Sequence, residues 1–384
     1  MAALPSQRHR FDIPESVAYL NCAYNSPQLD CARDSMLVAA RSKSHPWERR
    51  AEDFFADADR IRELAARAFG GEADGWAVVP AASYAMSTAA RAVEPTLGKG
   101  DRIVVIAEEF PSNVLPWRRT ASVTGAEVTT VSPGSDGDFT RSVLSALDRT
   151  VKVVSVSPCH WTDGTRIDCV AIGQACRSLG ATFVLDATQA MGAVPLDFDA
   201  IRPDFLGCSG YKWLLCPYGF GLLYVGKSWR EARPLEETWL GRLGAEDFAG
   251  LVNYVDAYRP GARRFDVGET CAPTILSGAI AALECVGTWT VAAIDESLAL
   301  MTQRIVAGLE PLGFRFPESN LRSHHIIGAT VPEPLEASAL VARLREAQIY
   351  VSQRGRALRI SPHVHVTDRD LDRLFEEATH ACKR

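Results

Sequence analysis

The sequence predicts an α/β protein: a large domain on a mainly parallel sheet, followed by a smaller α+β domain. Three observations predict it. Up to about residue 275, short apolar β-rich runs alternate with helix-like segments, the pattern of a parallel sheet covered by helices. Those runs are apolar almost throughout rather than alternating, as strands buried on both faces require. Beyond that point the pattern changes to a long helical stretch, roughly 276–312, and then to short strands and a final helix. The expected division is 15–275 and 276–384, with residues 1–14 packed near the smaller domain.

In chain order, "MAALPSQRHRFDIPE" has no apolar stretch of the secretory kind. Seven runs read as strands: 76–80, 102–107, 127–132, 151–157, 182–187, 204–210 and 221–226. Helical patterns lie between several of them, at 83–95, 139–148 and 168–179. Past the long helical stretch, "HHIIGATV" and "ALRISPHV" read as strands, and a last helix starts near Asp368.

Of the 384 residues 47% are apolar and 23% charged, and the net charge is -6. That balance argues against nucleic acid or an anionic membrane surface as the main partner. No apolar run approaches the roughly 20 residues that span a bilayer. The ten cysteines are scattered without a C-x-x-C pair. A reduced, cytoplasmic chain with no structural metal is the expectation.

In open α/β sheets functional groups gather at the carboxyl ends of strands. Lys212 stands in the apolar stretch "FLGCSGYKWLLCPYGFGLLYV". Either it snorkels its head to water, or burial lowers its pKa and makes it a nucleophile toward aldehydes. Asp186 ends the run "TFVLDATQ", with Gln189 one short turn on; it is either a helix cap or a carboxylate awaiting a cationic partner. "VVPAASYAMSTAARAV" leads from strand to helix through Ser83, an ordinary N-cap or an anion site. Phe110 follows the strand 102–107 and is either core or a face on which a flat ring stacks. "SPCHWTDGT" brings His160, Trp161 and Asp163 near the same strand ends. His160 is either a second acid/base or a satisfied structural histidine. Together, a lysine, a strand-end carboxylate, a helix start and an aromatic face describe the aldehyde, ring nitrogen, phosphate and ring of pyridoxal 5'-phosphate.

These parts resemble the fold-type I pyridoxal-phosphate enzymes of the class V aminotransferase family, which includes cysteine desulfurases, kynureninases and isopenicillin N epimerases. The most specific matches are "LDATQAMG" and "CSGYKWLLCPYGFGLLYV", with Asp186 and Lys212 26 positions apart. The resemblance runs from "YLNCAYNSP" to "LRISPHVHVTDRDLDRL". It implies that Lys212 carries the cofactor as a Schiff base and then serves as acid/base. Asp186 is implied to pair with the ring nitrogen and Gln189 to face the phenolic oxygen. Ser83, Tyr84 and Ser209 are implied to hold the phosphate. Phe110 stands where many relatives have a ring-stacking histidine; kynureninases have phenylalanine there. Arg359 in "LRISPH" matches the arginine that grips the substrate α-carboxylate, and Asn25 and Trp161 are implied to contact substrate. "ARRFDVGETCAP", 262–273, resembles the segment that reaches the phosphate of a neighbouring subunit, which implies a homodimer with shared sites and a role for Thr270. One departure stands out: no cysteine lies between Cys285 and Cys382, so the loop before Arg359 lacks the catalytic cysteine of desulfurases.

The resulting expectation is an enzyme acting on an amino acid, transamination ahead of C–S or other β-elimination and of epimerisation. A scaffold that merely keeps the fold is the alternative from another class. Such a module has no chemical need for Lys212, Asp186, Gln189 and Arg359 together.

Overall fold

The computed structural model describes residues 3–383. Its twelve strands are β1 (Ala18–Tyr19), β2 (Trp76–Val79), β3 (Arg102–Ile106), β4 (Glu127–Val131), β5 (Val151–Val156), β6 (Thr182–Asp186), β7 (Phe205–Ser209), β8 (Gly221–Val225), β9 (Ile327–Thr330), β10 (Ile349–Tyr350), β11 (Ser352–Arg354) and β12 (Ala357–Ile360). The seven runs expected as strands form one sheet, ordered β2-β8-β7-β6-β5-β3-β4. Neighbours from β4 through β7 pair in parallel, and β8 is antiparallel to both β7 and β2.

The continuous apolar runs are explained by two cores, one on each face of this sheet. Alternate residues of a strand point to opposite faces. Ala77, Val79, Ile103, Val105, Val153, Val184 and Phe205 meet one core, which the helices Ala82–Val93 and Leu115–Thr124 cover. Val78, Val104, Val154, Leu185, Leu206 and Leu222 meet the other, under the helices Ala56–Phe69, Cys169–Leu179 and Pro273–Trp289. The edge strand β4 is largely uncovered, and only Val131 is fully buried. Local chemistry sets the helix ends. The Asp168 carboxylate accepts from the backbone N–H groups of Val170 and Ala171, and Gly180 ends that helix in the left-handed region. Gly207 of β7 lets the helix Ala82–Val93 approach closely; a Cβ there would stand 2.5 Å from that of Ala85.

The stretch expected as one helix, 276–312, is two helices, Pro273–Trp289 and Val291–Leu309, bent by 74°. Thr290 sits between them at φ 65° and its side chain accepts from the Ala293 N–H, which starts the second helix. The first helix belongs to the large core through Leu276, Leu283 and Val286. Ile305 and Leu309 of the second belong to a third core with Ala18, Leu20, Leu340, Ile360 and Leu374. The packing therefore changes over along the second helix, not at 275/276. Ala18 and Leu20, assigned to the large domain, join the smaller core because β1 pairs with β10. A two-residue strand is too short to announce itself by periodicity. The smaller domain carries the antiparallel sheet β11-β12-β9. The N-terminal segment packs beside it: the Gln7 N–H donates to the Val364 carbonyl, and Arg8 pairs with Asp370 at 2.8 Å. Residues 1 and 2 of that segment lie outside the described residues. Among the described residues no single helix is long and apolar enough to cross a membrane.

Candidate active site

The carboxyl ends of β2, β3, β5, β6 and β7 converge on one cavity of about 210 Å³. Lys212 lines it, three residues beyond β7 and 5% exposed. Burial pulls its pKa down to about 8; Asp186 opposes this, and Arg359 and Arg354 add to it. Its Nζ lies 5.5 Å from the centre of the Phe110 ring and 5.7 Å from that of Tyr211. Phe110 itself is partly exposed to the cavity and packs edge-on against Trp161.

Asp186 ends β6 and is buried. Burial raises its pKa, against hydrogen bonding from Thr188 and the charge of Lys212. A carboxylate so placed fits a protonated ring nitrogen. Asp186 is also a cap, accepting the Thr188 N–H at 3.0 Å. Gln189 is fixed at both ends: Nε2 donates to the Ala23 carbonyl at 3.0 Å and Oε1 accepts from the Trp213 indole at 2.9 Å.

The helix Ala82–Val93 begins at the cavity with no side-chain cap. Ser83 is exposed and lines the cavity rather than capping. The Ser209 hydroxyl accepts the Ala82 N–H at 3.0 Å, and the Ser209 N–H donates to Thr188 Oγ1 at 3.2 Å. A helix start lined by the Ser83 and Ser209 hydroxyls fits a phosphate. Tyr84 is brought only to the rim of this turn. Its ring packs on the sheet core and its hydroxyl is directed to Glu236.

Arg359 is 1% exposed, on β12. One Nη donates to the Trp161 carbonyl at 2.8 Å. Its Nε and other Nη are buried without a partner. Burial, with help from Arg354, lowers its pKa to about 9. A buried guanidinium with an open edge is costly unless an anion completes it, and a carboxylate matches that edge. Trp161 lines the cavity, with its indole N–H on the Glu108 carbonyl at 2.7 Å.

Five expected residues do not line the cavity: Arg359, Tyr84, His160, Asn25 and Thr270. His160, expected as a possible acid/base, is a packed structural histidine. Its Nδ1 pairs with the Thr162 hydroxyl at 2.7 Å, its Nε2 faces the Ala107 carbonyl at 3.3 Å, and its ring stacks on Phe139 at 4.9 Å. Both nitrogens are committed before any substrate arrives. Asn25 is exposed and does not line the cavity; its carbonyl accepts from the Tyr19 hydroxyl. Thr270 is buried, its hydroxyl on the Val267 carbonyl, and it too lies outside its own chain's cavity.

Among the lining residues, the sequence reading missed Glu109 and Tyr218. Glu109 is buried in the cavity wall, and burial and Asp186 raise its pKa. The doubled acid in "EEFPSN", directly after a strand, was the available signal. Tyr218 stands 4.3 Å from Tyr211 at the cavity edge, a contact across a loop that spacing does not encode. Thiols near the cavity are poor nucleophiles: burial pushes Cys159 and Cys208 up to about 12. Among the described residues no cluster of His, Cys, Asp and Glu could hold a metal ion.

This arrangement of sheet, cavity and lysine defines a class of cofactor-dependent enzyme, and comparison places the chain within it. The class V aminotransferase family model matches residues 36–374, so the chain belongs to that family and is a pyridoxal-phosphate-dependent enzyme. It is 27% identical over 300 residues to a probable cysteine desulfurase of Pyrococcus abyssi, covering 76% of this chain and 72% of that one. It is 29% identical over 327 residues to the kynureninase of Deinococcus radiodurans, covering 82% and 76%. In fold it is similar to the apo cysteine desulfurase of Thermococcus onnurineus, with a TM-score of 0.87 at 19% identity and all of both chains covered.

Proposed function

We propose that the protein transaminates an α-amino acid, with Lys212 as the acid/base that moves the substrate's Cα proton. The observation that carries this is a buried lysine, its pKa pulled down to about 8, lining the same cavity as Asp186. Pyridoxal phosphate, when bound, draws electrons from the substrate Cα. The chain's own groups supply the rest. Asp186 holds the ring nitrogen protonated. Gln189 faces the phenolic oxygen with the N–H not used by Ala23. Ser83, Ser209 and the helix start hold the phosphate, and Phe110 covers one face of the ring. Arg359 grips the α-carboxylate through its open edge. An amine with a pKa near neutrality suits a group that must both accept and donate a proton.

Elimination at Cβ is the second reading. It shares the proton abstraction, and the kynureninase and desulfurase names among the relatives favour it. Persulfide chemistry on the enzyme is disfavoured, because the thiols at the cavity are buried with raised pKa values. Product analysis decides. The loaded protein, mixed with a panel of amino acids and no acceptor, should release stoichiometric 2-oxo acid and turn over when an acceptor is added. Continuous release of ammonia, or of the β-substituent such as sulfide, with no acceptor added would overturn transamination.

We also infer a homodimer with shared sites. Exposed apolar side chains gather at Trp239, Leu243, Val252 and Tyr254. The neighbouring Glu236 carboxylate accepts from the Gly268 N–H at 2.7 Å, in the segment that carries Thr270. Apolar exposure of this kind fits a protein interface. Light scattering giving a monomer mass would contradict the dimer. The ten free thiols suit a reducing, cytoplasmic compartment.

A further inference from the structure

The β11–β12 hairpin presents two arginines to the site, and only one is needed for an α-carboxylate. In an antiparallel pair, residues directly opposite share a face, as do residues two apart along a strand. Ser352 faces Arg359 and Arg354 faces Ala357. Arg354 and Arg359 therefore share one face. The opposite face carries Leu358, buried in the smaller core.

Trp161 joins the two arginines. Its carbonyl accepts from Arg359 at 2.8 Å. Its ring lies under the Arg354 guanidinium, 5.0 Å from centre to carbon. Trp161 also lines the cofactor cavity, and the charges of both arginines act on Lys212, so the pair stands beside that cavity. Among the described residues no carboxylate pairs with either arginine. The Arg354 Nη1 donates to the carbonyl of Gln353, and its Nε is buried without a partner. Arg356, at the turn between them, is instead satisfied by Glu333 at 2.9 Å. The hairpin thus settles the charge that faces away and leaves two that face the site. Two like charges on one face, each with unfilled donors, are unfavourable in the empty protein. Anions from a ligand would repay this at both positions.

We propose that the site takes an amino acid whose side chain bears a second anionic group, with Arg359 on the α-carboxylate and Arg354 on the distal anion. This rests on the α-amino-acid reading above and deepens it to a substrate class, the acidic or otherwise doubly anionic amino acids. Arg354 is then a specificity residue, and Trp161 positions it by stacking.

The test is binding, by calorimetry on the cofactor-loaded protein, of succinate and glutarate against butyrate as a singly charged probe. The visible absorbance of the same sample reports independently whether the cofactor is bound, so failure of the cofactor reading is seen separately. The better of the two dicarboxylates should bind about tenfold or more tighter than butyrate, as one charge-assisted contact predicts. Arg354→Gln should erase that preference, whereas Arg359→Gln should weaken every probe. Equal binding of mono- and dicarboxylates by the unaltered protein would overturn the proposal, and this comparison needs no variant to fold. So would an Arg354→Gln protein that loses butyrate and dicarboxylates equally, since both arginines would then hold one carboxylate.

Discussion

At the scale of single residues, the account rests on burial changing what a side chain can do. Lys212 is neutral above its pKa, and only the neutral amine attacks an aldehyde. With that pKa near 8, the rate of cofactor loading should climb about tenfold per pH unit below pH 8 and flatten above it. A rate that stays flat between pH 6 and 8 would contradict the buried, desolvated lysine. Arg359→Gln should raise KM for carboxylate-bearing substrates by about tenfold or more, because it removes a bidentate charge-assisted contact; unchanged KM would remove Arg359 from the substrate site. Lys212 and Asp186 stood out in the sequence because each is a polar residue in an apolar run, and the expected roles of Gln189 and Arg359 came from the family resemblance. The packing of His160 was not legible. Its neighbours in sequence place it near the site, yet Ala107, Thr162 and Phe139 claim it, and those contacts exist only in three dimensions.

At the scale of elements, two joints hold the site in shape. The first is the contact between β7 and the helix that begins at the phosphate turn. Gly207→Ala would drive a methyl into Ala85 and Met86, lifting the helix start away from Ser209. It should cost about 1–3 kcal/mol, read by urea unfolding, and weaken cofactor retention as well. The second is the buried pair of Arg62 and Asp266, which ties the segment leading to Thr270 onto β2. Asp266 accepts the Val78 N–H at 2.8 Å, and Arg62 donates to the Trp76 carbonyl at 3.0 Å. Asp266→Ala leaves Arg62 only its half-exposed partner Asp59 at 2.9 Å and should destabilise by about 1–3 kcal/mol; a loss well under about 1 kcal/mol would show the pair to be dispensable. The sequence showed the seven strands of the main sheet because most are apolar runs and the edge strand β4 is rich in β-branched residues. It hid the turn at Thr290, where two helical patterns abut with no glycine or proline between them. It also hid the arginine pair of the hairpin, since pairing register, not spacing along the chain, brings Arg354 to the face of Arg359.

At the scale of the whole molecule, large and small domains meet over buried histidines. His325 and His363 flank Trp213, beside the lysine, and His365 bonds the Tyr19 carbonyl at 2.9 Å. Burial lowers their pKa values to about 4, 3 and 4 respectively. In the unfolded chain they would titrate near 6.5. The unfolded state therefore takes up protons first as pH falls. Stability from these groups is complete above about pH 6.5 and is lost progressively below it, by about 1.4 kcal/mol per pH unit for each histidine. Melting temperatures at pH 7 and pH 5 should differ sharply, and replacing His365 with Gln should reduce the difference. Equal melting temperatures would refute the buried neutral histidines. The division of the chain was only partly legible, because the first helix of the 273–309 pair packs with the large domain while the second turns to the small one. The central claim is that Lys212 carries the cofactor, and one measurement tests it directly: the protein is incubated with pyridoxal phosphate, reduced with borohydride, digested and mapped by mass spectrometry. The account predicts the cofactor mass on the peptide containing Lys212 and none after Lys212→Ala. Stoichiometric label on another lysine, or no label in the unaltered protein, would contradict it.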